Sequence, residues 1–158
     1  MKNFDKLLYT FKHRKLLNFL AQKYDKDNEE LRQRLEIHDL DKMYLLLFYE
    51  KKAIEPVHRA LAPHHDNDLE KTELDYIEMV LDWESARYTK PDKPFNAYDT
   101  LYKFYPHLVD SVLPILKKFN IAESTLEKDE DVVEYVNSLK EYTEEDIKRE
   151  LIEYIKGL

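Results

Sequence analysis

The sequence contains no cysteine and a single glycine, Gly157, among 158 residues. Without cysteine the chain forms no disulfide, iron–sulfur cluster or thiolate zinc site, so any metal must take nitrogen and oxygen ligands. One glycine is too few for a turn-rich β fold, whereas 43% hydrophobic and 37% charged residues are typical of amphipathic helices. We therefore predict an all-α protein of one domain.

Long hydrophobic runs and an excess of basic residues are also missing. The run from Met43 to Phe48 is far shorter than the roughly 20 apolar residues that cross a membrane. The amino-terminal stretch MKNFDKLLYTFKHRK has no apolar signal segment, so we expect a soluble, cytoplasmic protein without a membrane partner. A net charge of −8 argues against binding to polymeric nucleic acid, because such binding relies on a basic surface.

Apolar residues recur at helical spacing along the whole chain. Asp27 or Asn28 can cap the second predicted helix, Asp39 the third and Thr143 the last. We expect the Met43–Phe48 segment to be deeply buried. Prolines and polar residues predict an ordered loop at 89–97. The predicted helices cover 3–24, about 28–36, about 40–48, a segment between Pro56 and Pro63, 68–88, 98–104, 106–119, 130–140 and 143–157.

Histidines are concentrated in the first part of the chain. Two pairs, His38-Asp39 and His64-His65, fall at predicted helix boundaries, where side chains from several elements can converge. A structural interpretation stays open for each residue: the histidines can be hydrogen-bonded core residues, and Asp39 can be only a helix cap. The six histidines are His13, His38, His58, His64, His65 and His107.

The helix predicted at 68–88 carries an acidic stripe. Asp75, Glu78 and Asp82 have the spacing i, i+3, i+7, and apolar residues flank them on both sides, so the stripe should point inward. The exposed arc of this helix is then expected near Glu73, Glu84 and Arg87. Buried carboxylates are costly unless they are paired or bind a metal. The alternative is a solvated helix face, but the histidine pairs upstream favour a metal site.

A mixed set of imidazoles and carboxylates suits Mn, Fe, Co, Ni or Zn, and carboxylates alone suit Mg. A divalent ion lowers the pKa of a bound water and polarises a phosphoryl oxygen, so such a site is suited to metal-assisted hydrolysis. The residues therefore predict a divalent metal ion as cofactor. Its identity stays open at this point.

The order of these motifs resembles that of the HD-domain metal-dependent phosphohydrolases. The stretch IHDLDK has the form His-Asp-hydrophobic-x-Lys. More closely, VHRALAPHHDND followed by EMVLDWESARYTK is similar to an uncharacterised bacterial and phage family related to HD domains. The resemblance implies a phosphodiesterase-like helical bundle over residues 1–158, with a metal-site core at about 10–95 and carboxy-terminal helices at about 98–158.

The resemblance also implies a ligand set for one or two metals per chain. One metal would be held by His13, His38, Asp39 and Asp82. In members with two metals, the aspartate of the His-Asp pair bridges the ions and further histidines complete the second site. The positions that match here are His58, His64 and His65.

Catalytic and substrate-binding residues are expected around these ligands. We predict that Asp39 and Lys42 act in catalysis, with Lys42 orienting Asp39 or contacting substrate. Cations after the acidic helix can hold a phosphate by charge-assisted hydrogen bonds. The predicted substrate contacts are Glu78, Arg87, Lys90 and Lys93.

The leading functional prediction is a metal-dependent phosphohydrolase acting on a small phosphorylated molecule, with a nucleotide as one candidate. A non-catalytic metal-binding or regulatory protein and a helical interaction module are the alternatives. The amphipathic carboxy-terminal helix can pack within the fold or across a homodimer, and its pattern does not separate these two arrangements.

Overall fold

The computed structural model describes residues 4–46, 48–90 and 95–157. These ranges fold into helices joined by turns and contain no strand, so the all-α prediction is confirmed. In chain order the elements are α1 (Phe4–Tyr24), α2 (Glu29–Glu36), α3 (Leu40–Leu45), α4 (Lys51–Leu61), α5 (Glu73–Thr89), α6 (Ala97–Phe104), a 3₁₀ turn (Pro106–Leu108), α7 (Val109–Lys118), α8 (Glu130–Leu139) and α9 (Glu144–Lys156).

Side-chain caps define several helix starts. The side chain of Asn28 accepts a hydrogen bond from the amide of Leu31, as predicted for α2. Thr143 Oγ1 likewise accepts from the amide of Asp146 before α9. The predicted 68–88 helix begins later, at Glu73, because Thr72 and Asp75 form a reciprocal capping box.

Two expectations about α3 and α4 were wrong. Pro56 does not mark a connection but lies inside α4, where it is exposed, so the carbonyl that loses its helical donor can reach water. In the Met43–Phe48 run, Met43 and Leu46 are buried, but Phe48 is 66% exposed because α3 has already ended at Leu45.

Helix α5 lies at the centre of the bundle and packs against α1, α2, α6, α7 and α8. Leucines of α1, including Leu16 and Leu20, pack with Val80 and Leu81 of α5 in the main core. Of the three residues predicted on an exposed arc, Glu73 at the start of α5 is exposed. Because neighbours surround the rest of α5, Glu84 and Arg87 are buried, and the prediction was wrong for these two.

Helix α9 packs on α1 through a second apolar cluster, in which Ile147 meets Leu7, Phe11 and Met43. Within the described ranges, no helix has the length and apolarity that crossing a bilayer requires. The packing of α1 against α2, α3 and α5 brings the histidine-bearing segments to one side of the bundle.

Candidate metal centre

Asp39 lies between α2 and α3 in a strained backbone conformation. Its φ angle is +56°, in the left-handed region, which costs most residues roughly 1–2 kcal/mol but which aspartate tolerates better than most. Its carbonyl accepts the amide of Met43 at the start of α3. Its carboxylate instead turns toward buried histidines, so Asp39 is more than a helix cap, and its strain is of the kind found at functional sites.

Three imidazoles approach the Asp39 carboxylate through their Nε2 atoms. The distances to Oδ1 are 2.9 Å from His58 and 3.3 Å from His64, and His38 lies 3.4 Å from Oδ2. Asp39 Oδ1 and the three Nε2 atoms are buried, yet none makes a hydrogen bond of normal geometry with a described residue. Since buried polar atoms are nearly always satisfied, this convergence is typical of an assembled metal-ligand set.

The opposite ring nitrogens contact other carboxylates. Nδ1 of His38 lies 2.8 Å from Glu78 Oε1, and Nδ1 of His58 lies 2.9 Å from Asp41 Oδ2. An ionised carboxylate only accepts hydrogen bonds, so Nδ1 carries a proton in each pair, and Nε2 is the nitrogen that can lose its proton and bind a metal. Carboxylates placed in this way orient histidine ligands in metalloproteins.

Glu78 also lies 3.4 Å from Nδ1 of His64 and 3.5 Å from the guanidinium of Arg34. It is only 3% exposed and lies behind the histidines. The contacts of Glu78 are thus to histidines and Arg34, and its predicted contact with substrate stays a prediction. Asp75, in the same acidic stripe, is an ion-pair partner of Arg34 and part of the α5 cap, which gives it a structural role.

The remaining predicted ligands lie close by. His13 of α1 reaches across to α5, where its Nε2 lies 2.8 Å from Asp82 Oδ1. The His13 ring is 5.3 Å from that of His38, and the His65 ring is 4.3 Å from that of His64. Three overlapping groups place their donor atoms within 4.8 Å of one another: His13, His38 and Asp39; His38, His64 and Asp82; His58, His64 and His65. The structure thus brings together all seven residues predicted as ligands.

The neighbouring histidines keep the two aspartates of this cluster in their ionised form. Burial raises the pKa of Asp39, but His58 and His64 beside it outweigh this effect and hold that pKa well below its usual range. Burial likewise raises the pKa of Asp82, but His13 and His38 together hold that pKa well below its usual range. Both carboxylates therefore stay ionised.

The histidines divide into two kinds. Burial lowers the pKa of His58 and His64, yet their carboxylate partners raise these values to about 9 and about 10, so without a metal both rings are protonated at pH 7 and a bound ion would replace their Nε2 protons. Burial and the neighbouring His64 instead lower the pKa of His65 to about 4, so this imidazole is neutral at pH 7 and offers a lone pair. The carboxylates thus make the cluster a favourable environment for a cation.

A cleft of about 560 Å³ opens onto this cluster at His13, Asp39 and Asp82. Lys42, predicted to act beside Asp39, lines it and forms an ion pair of 2.5 Å with Glu55. Lys90, predicted to contact substrate, also lines it, with its ammonium 5.8 Å from the centre of the Tyr9 ring. Two further cations of the cleft, which the sequence reasoning missed, are Lys51 and Arg59.

The missed cations follow a recognisable pattern. Lys51, Glu55 and Arg59 have the spacing i, i+4, i+8 and so share one face of α4. Reading Pro56 as a helix boundary hid this periodicity. Asp41, the partner of His58, was missed too, although its position three residues after His38 is a signal that it lies near the His-Asp pair.

Arg87 is turned away from this cleft. Its Nε lies 2.6 Å from the buried carboxylate of Glu84, and its guanidinium donates to the Ser124 carbonyl at 3.0 Å and the Tyr88 hydroxyl at 2.9 Å. These contacts tie α5 to the segment before α8, and they correct the prediction that Arg87 binds substrate. Lys93, also predicted to bind substrate, lies outside the described residues.

Comparisons with protein-family models, with curated proteins and with solved structures found no match. The resemblance to HD-domain proteins therefore stays a prediction from the motifs, and the geometry of the site supplies the argument for function.

Replacing Asp41 by asparagine is expected to weaken metal binding about tenfold, because the partner that orients His58 and increases its basicity is lost. Asp41 is 57% exposed on its side chain, so the fold should tolerate the change. The measurement is competition with a calibrated chelator at fixed pH. An unchanged affinity relative to a control Asp110→Asn variant on α7 would show that Asp41 does not support a ligand.

Proposed function

We propose that this protein is a divalent-metal-dependent phosphohydrolase that acts on a small phosphorylated molecule. The observation that carries the proposal is the convergence of three buried Nε2 atoms and Asp39 Oδ1, without normal hydrogen bonds, beside a cleft with basic walls that Asp39 itself lines. Ligands of this kind suit Mn, Fe, Co, Ni or Zn better than Mg, because imidazole nitrogen dominates the set.

The residues of the site divide into three tasks. His13, His38, Asp39, Asp82 and the three later histidines would hold one or two metal ions, which supply Lewis-acid activation of water and of a phosphoryl oxygen. Glu78 and Asp41 orient the imidazoles from behind. Lys42 and Lys90 face the open cleft, where ammonium groups can bind phosphoryl oxygens and stabilise the charge that develops on them.

The volume and charge of the cleft limit the size and charge of the substrate. A volume of about 560 Å³ is within the range of roughly 300–1,000 Å³ that small-molecule sites occupy. The basic groups of the cleft contrast with a net charge of −8 for the whole chain, an arrangement that attracts a small phosphate compound and disfavours a polymer. A nucleotide fits this class, and the absence of cysteine suits the reducing cytoplasm in which we place the protein.

The test has two parts, and both use protein purified without chelator. Elemental analysis is expected to find one or two transition-metal ions per chain. Phosphomonoesters, nucleotides and cyclic nucleotides are then screened for phosphate release or ring opening, with turnover abolished by chelator and restored by the metal found.

Replacing the basic residues of the cleft tests the substrate role. Lys51→Gln combined with Arg59→Gln should raise KM about tenfold and leave metal content unchanged, since neither residue contacts a ligand. The charge-matched control is Lys117→Gln with Lys118→Gln, on the exposed face of α7. Bound metal without turnover of any phosphate ester would contradict the hydrolase proposal and favour a metal-binding regulatory protein. Protein that takes up no metal would favour a helical interaction module.

A further inference from the structure

A second cleft, of about 440 Å³, adjoins the metal cleft at Tyr9 and His13. Three lysines from separate parts of the chain line it: Lys12 on α1, Lys128 before α8, and Lys140 at the end of α8. We call it the lysine cleft. It is formed where α8 packs against α1 and α5, and the proposed hydrolysis uses none of these lysines.

The charge in the lysine cleft is uncompensated locally. None of the three lysines forms an ion pair with a residue that the structure describes, whereas Lys15, Lys23 and Lys42 elsewhere all do. The described residues lining the cleft include no aspartate or glutamate. On a chain with a net charge of −8, three ammonium groups collected in one concavity form a local site for an anion.

The buried arginine beneath the cleft does not supply this charge. Arg87 contributes to the lining, but its Nε is only 2.6 Å from the Glu84 carboxylate, and its other nitrogens donate to Ser124 and Tyr88. The guanidinium thus already has partners within the protein for its charge and its donors. The lysines at the mouth are the groups left to bind a ligand.

Apart from His13 and Thr89, the other walls of the cleft are apolar or aromatic. Val136 and Leu139 of α8 lie on one side, and Tyr9 and Tyr88 supply ring surfaces. A site of this size with apolar walls and a few charged groups at defined positions is typical of small-molecule binding. An inorganic ion alone would leave these walls without a partner.

We propose that the lysine cleft binds a small phosphorylated molecule with an apolar or aromatic portion, at a site separate from the metal centre. The phosphate would be held by Lys12, Lys128 and Lys140, and the remainder of the ligand would lie against Val136 and the tyrosine rings. This site goes beyond the proposed hydrolysis, because it requires neither a metal ion nor turnover.

The test measures binding of phenylphosphonate, which carries a phosphonate dianion and an aromatic ring and has no ester bond to hydrolyse. Isothermal titration at low salt compares wild type with Lys128→Gln/Lys140→Gln and with the control Lys117→Gln/Lys118→Gln. Loss of two charged hydrogen-bond donors should weaken binding at the lysine cleft by about tenfold or more. The control pair should bind like wild type.

An Asp39→Asn variant distinguishes binding at the lysine cleft from binding at the metal centre. Binding that persists in Asp39→Asn and is weakened by Lys128→Gln/Lys140→Gln is the expected result. Binding that is lost in Asp39→Asn and unaffected by the lysine changes would place the ligand at the metal centre and overturn the proposal. Absence of binding to wild type, or equal weakening in the two lysine pairs, would overturn it as well. Because phenylphosphonate is not turned over, failure of the hydrolase proposal leaves this result interpretable.

Discussion

The Asp39→Asn variant is expected to bind the metal at least ~100-fold more weakly than wild type does. This loss of affinity is larger than that caused by removing a residue that only orients a ligand. Asp39 is the carboxylate on which His38, His58 and His64 converge, so the substitution removes the charged oxygen that these three imidazoles share. Asparagine has nearly the same size and also tolerates a positive φ angle, so the turn into α3 should survive.

The measurement is elemental analysis after dialysis against a metal buffer, with thermal unfolding recorded on the same samples. In wild type, added metal should raise the unfolding temperature, because a ligand that binds only the native state stabilises it. This increase should vanish in Asp39→Asn and persist in the control Asp110→Asn. Metal retained by Asp39→Asn at wild-type affinity would refute the ligand role of Asp39.

Arg87→Met is expected to destabilise the fold by roughly 3–5 kcal/mol, the cost of leaving a buried charge without its partner. Glu84 is fully buried, and burial raises its pKa to about 7 although Arg87 lies beside it. The substitution also removes the donors to Ser124 and Tyr88 that hold the segment before α8 against α5. In a chain of this length such a loss lowers the unfolding temperature by about 10 °C.

The matched control removes both charges at once. Glu84→Gln combined with Arg87→Met should be markedly more stable than Arg87→Met alone, since no uncompensated charge then remains in the interior. Urea unfolding at pH 7.5 of wild type, both single variants and the double variant forms a complete cycle. Additive effects of the two changes would show that the pair does not interact as the geometry implies.

Local sequence patterns predicted much of the secondary structure. The caps at Asn28 and Thr143 depend on residues three positions away, so short-range chemistry was enough to place them. The start of α5 was misplaced by five residues because Thr72 and Asp75 were not read as a capping box. Pro56 was read as a boundary, although an exposed proline inside a helix is tolerated where water can reach the freed carbonyl.

Residue type and spacing also identified the groups that meet at the candidate metal centre. An adjacent His-Asp pair, an adjacent His-His pair and an inward acidic stripe each require a partner that their own segment does not supply. The acidic stripe points inward as predicted, but only part of it lies at the histidine cluster. Asp82 faces His13, whereas Asp75 caps α5 and pairs with Arg34. Helical periodicity shows that residues share a face, but it does not show what lies opposite.

The sequence by itself determined that the protein is helical and that any metal must be held by nitrogen and oxygen, and its resemblance to HD-domain motifs named seven side chains as candidates to hold it. Tertiary structure alone decided that Glu78 stands behind the histidines, that Arg87 is committed to Glu84, and that lysines of α1 and α8 line a second cleft. The physical reason is that hydrophobic periodicity and capping are local properties of the chain. Burial, ion pairing and convergence depend on which helices pack together, and that is set by the whole core.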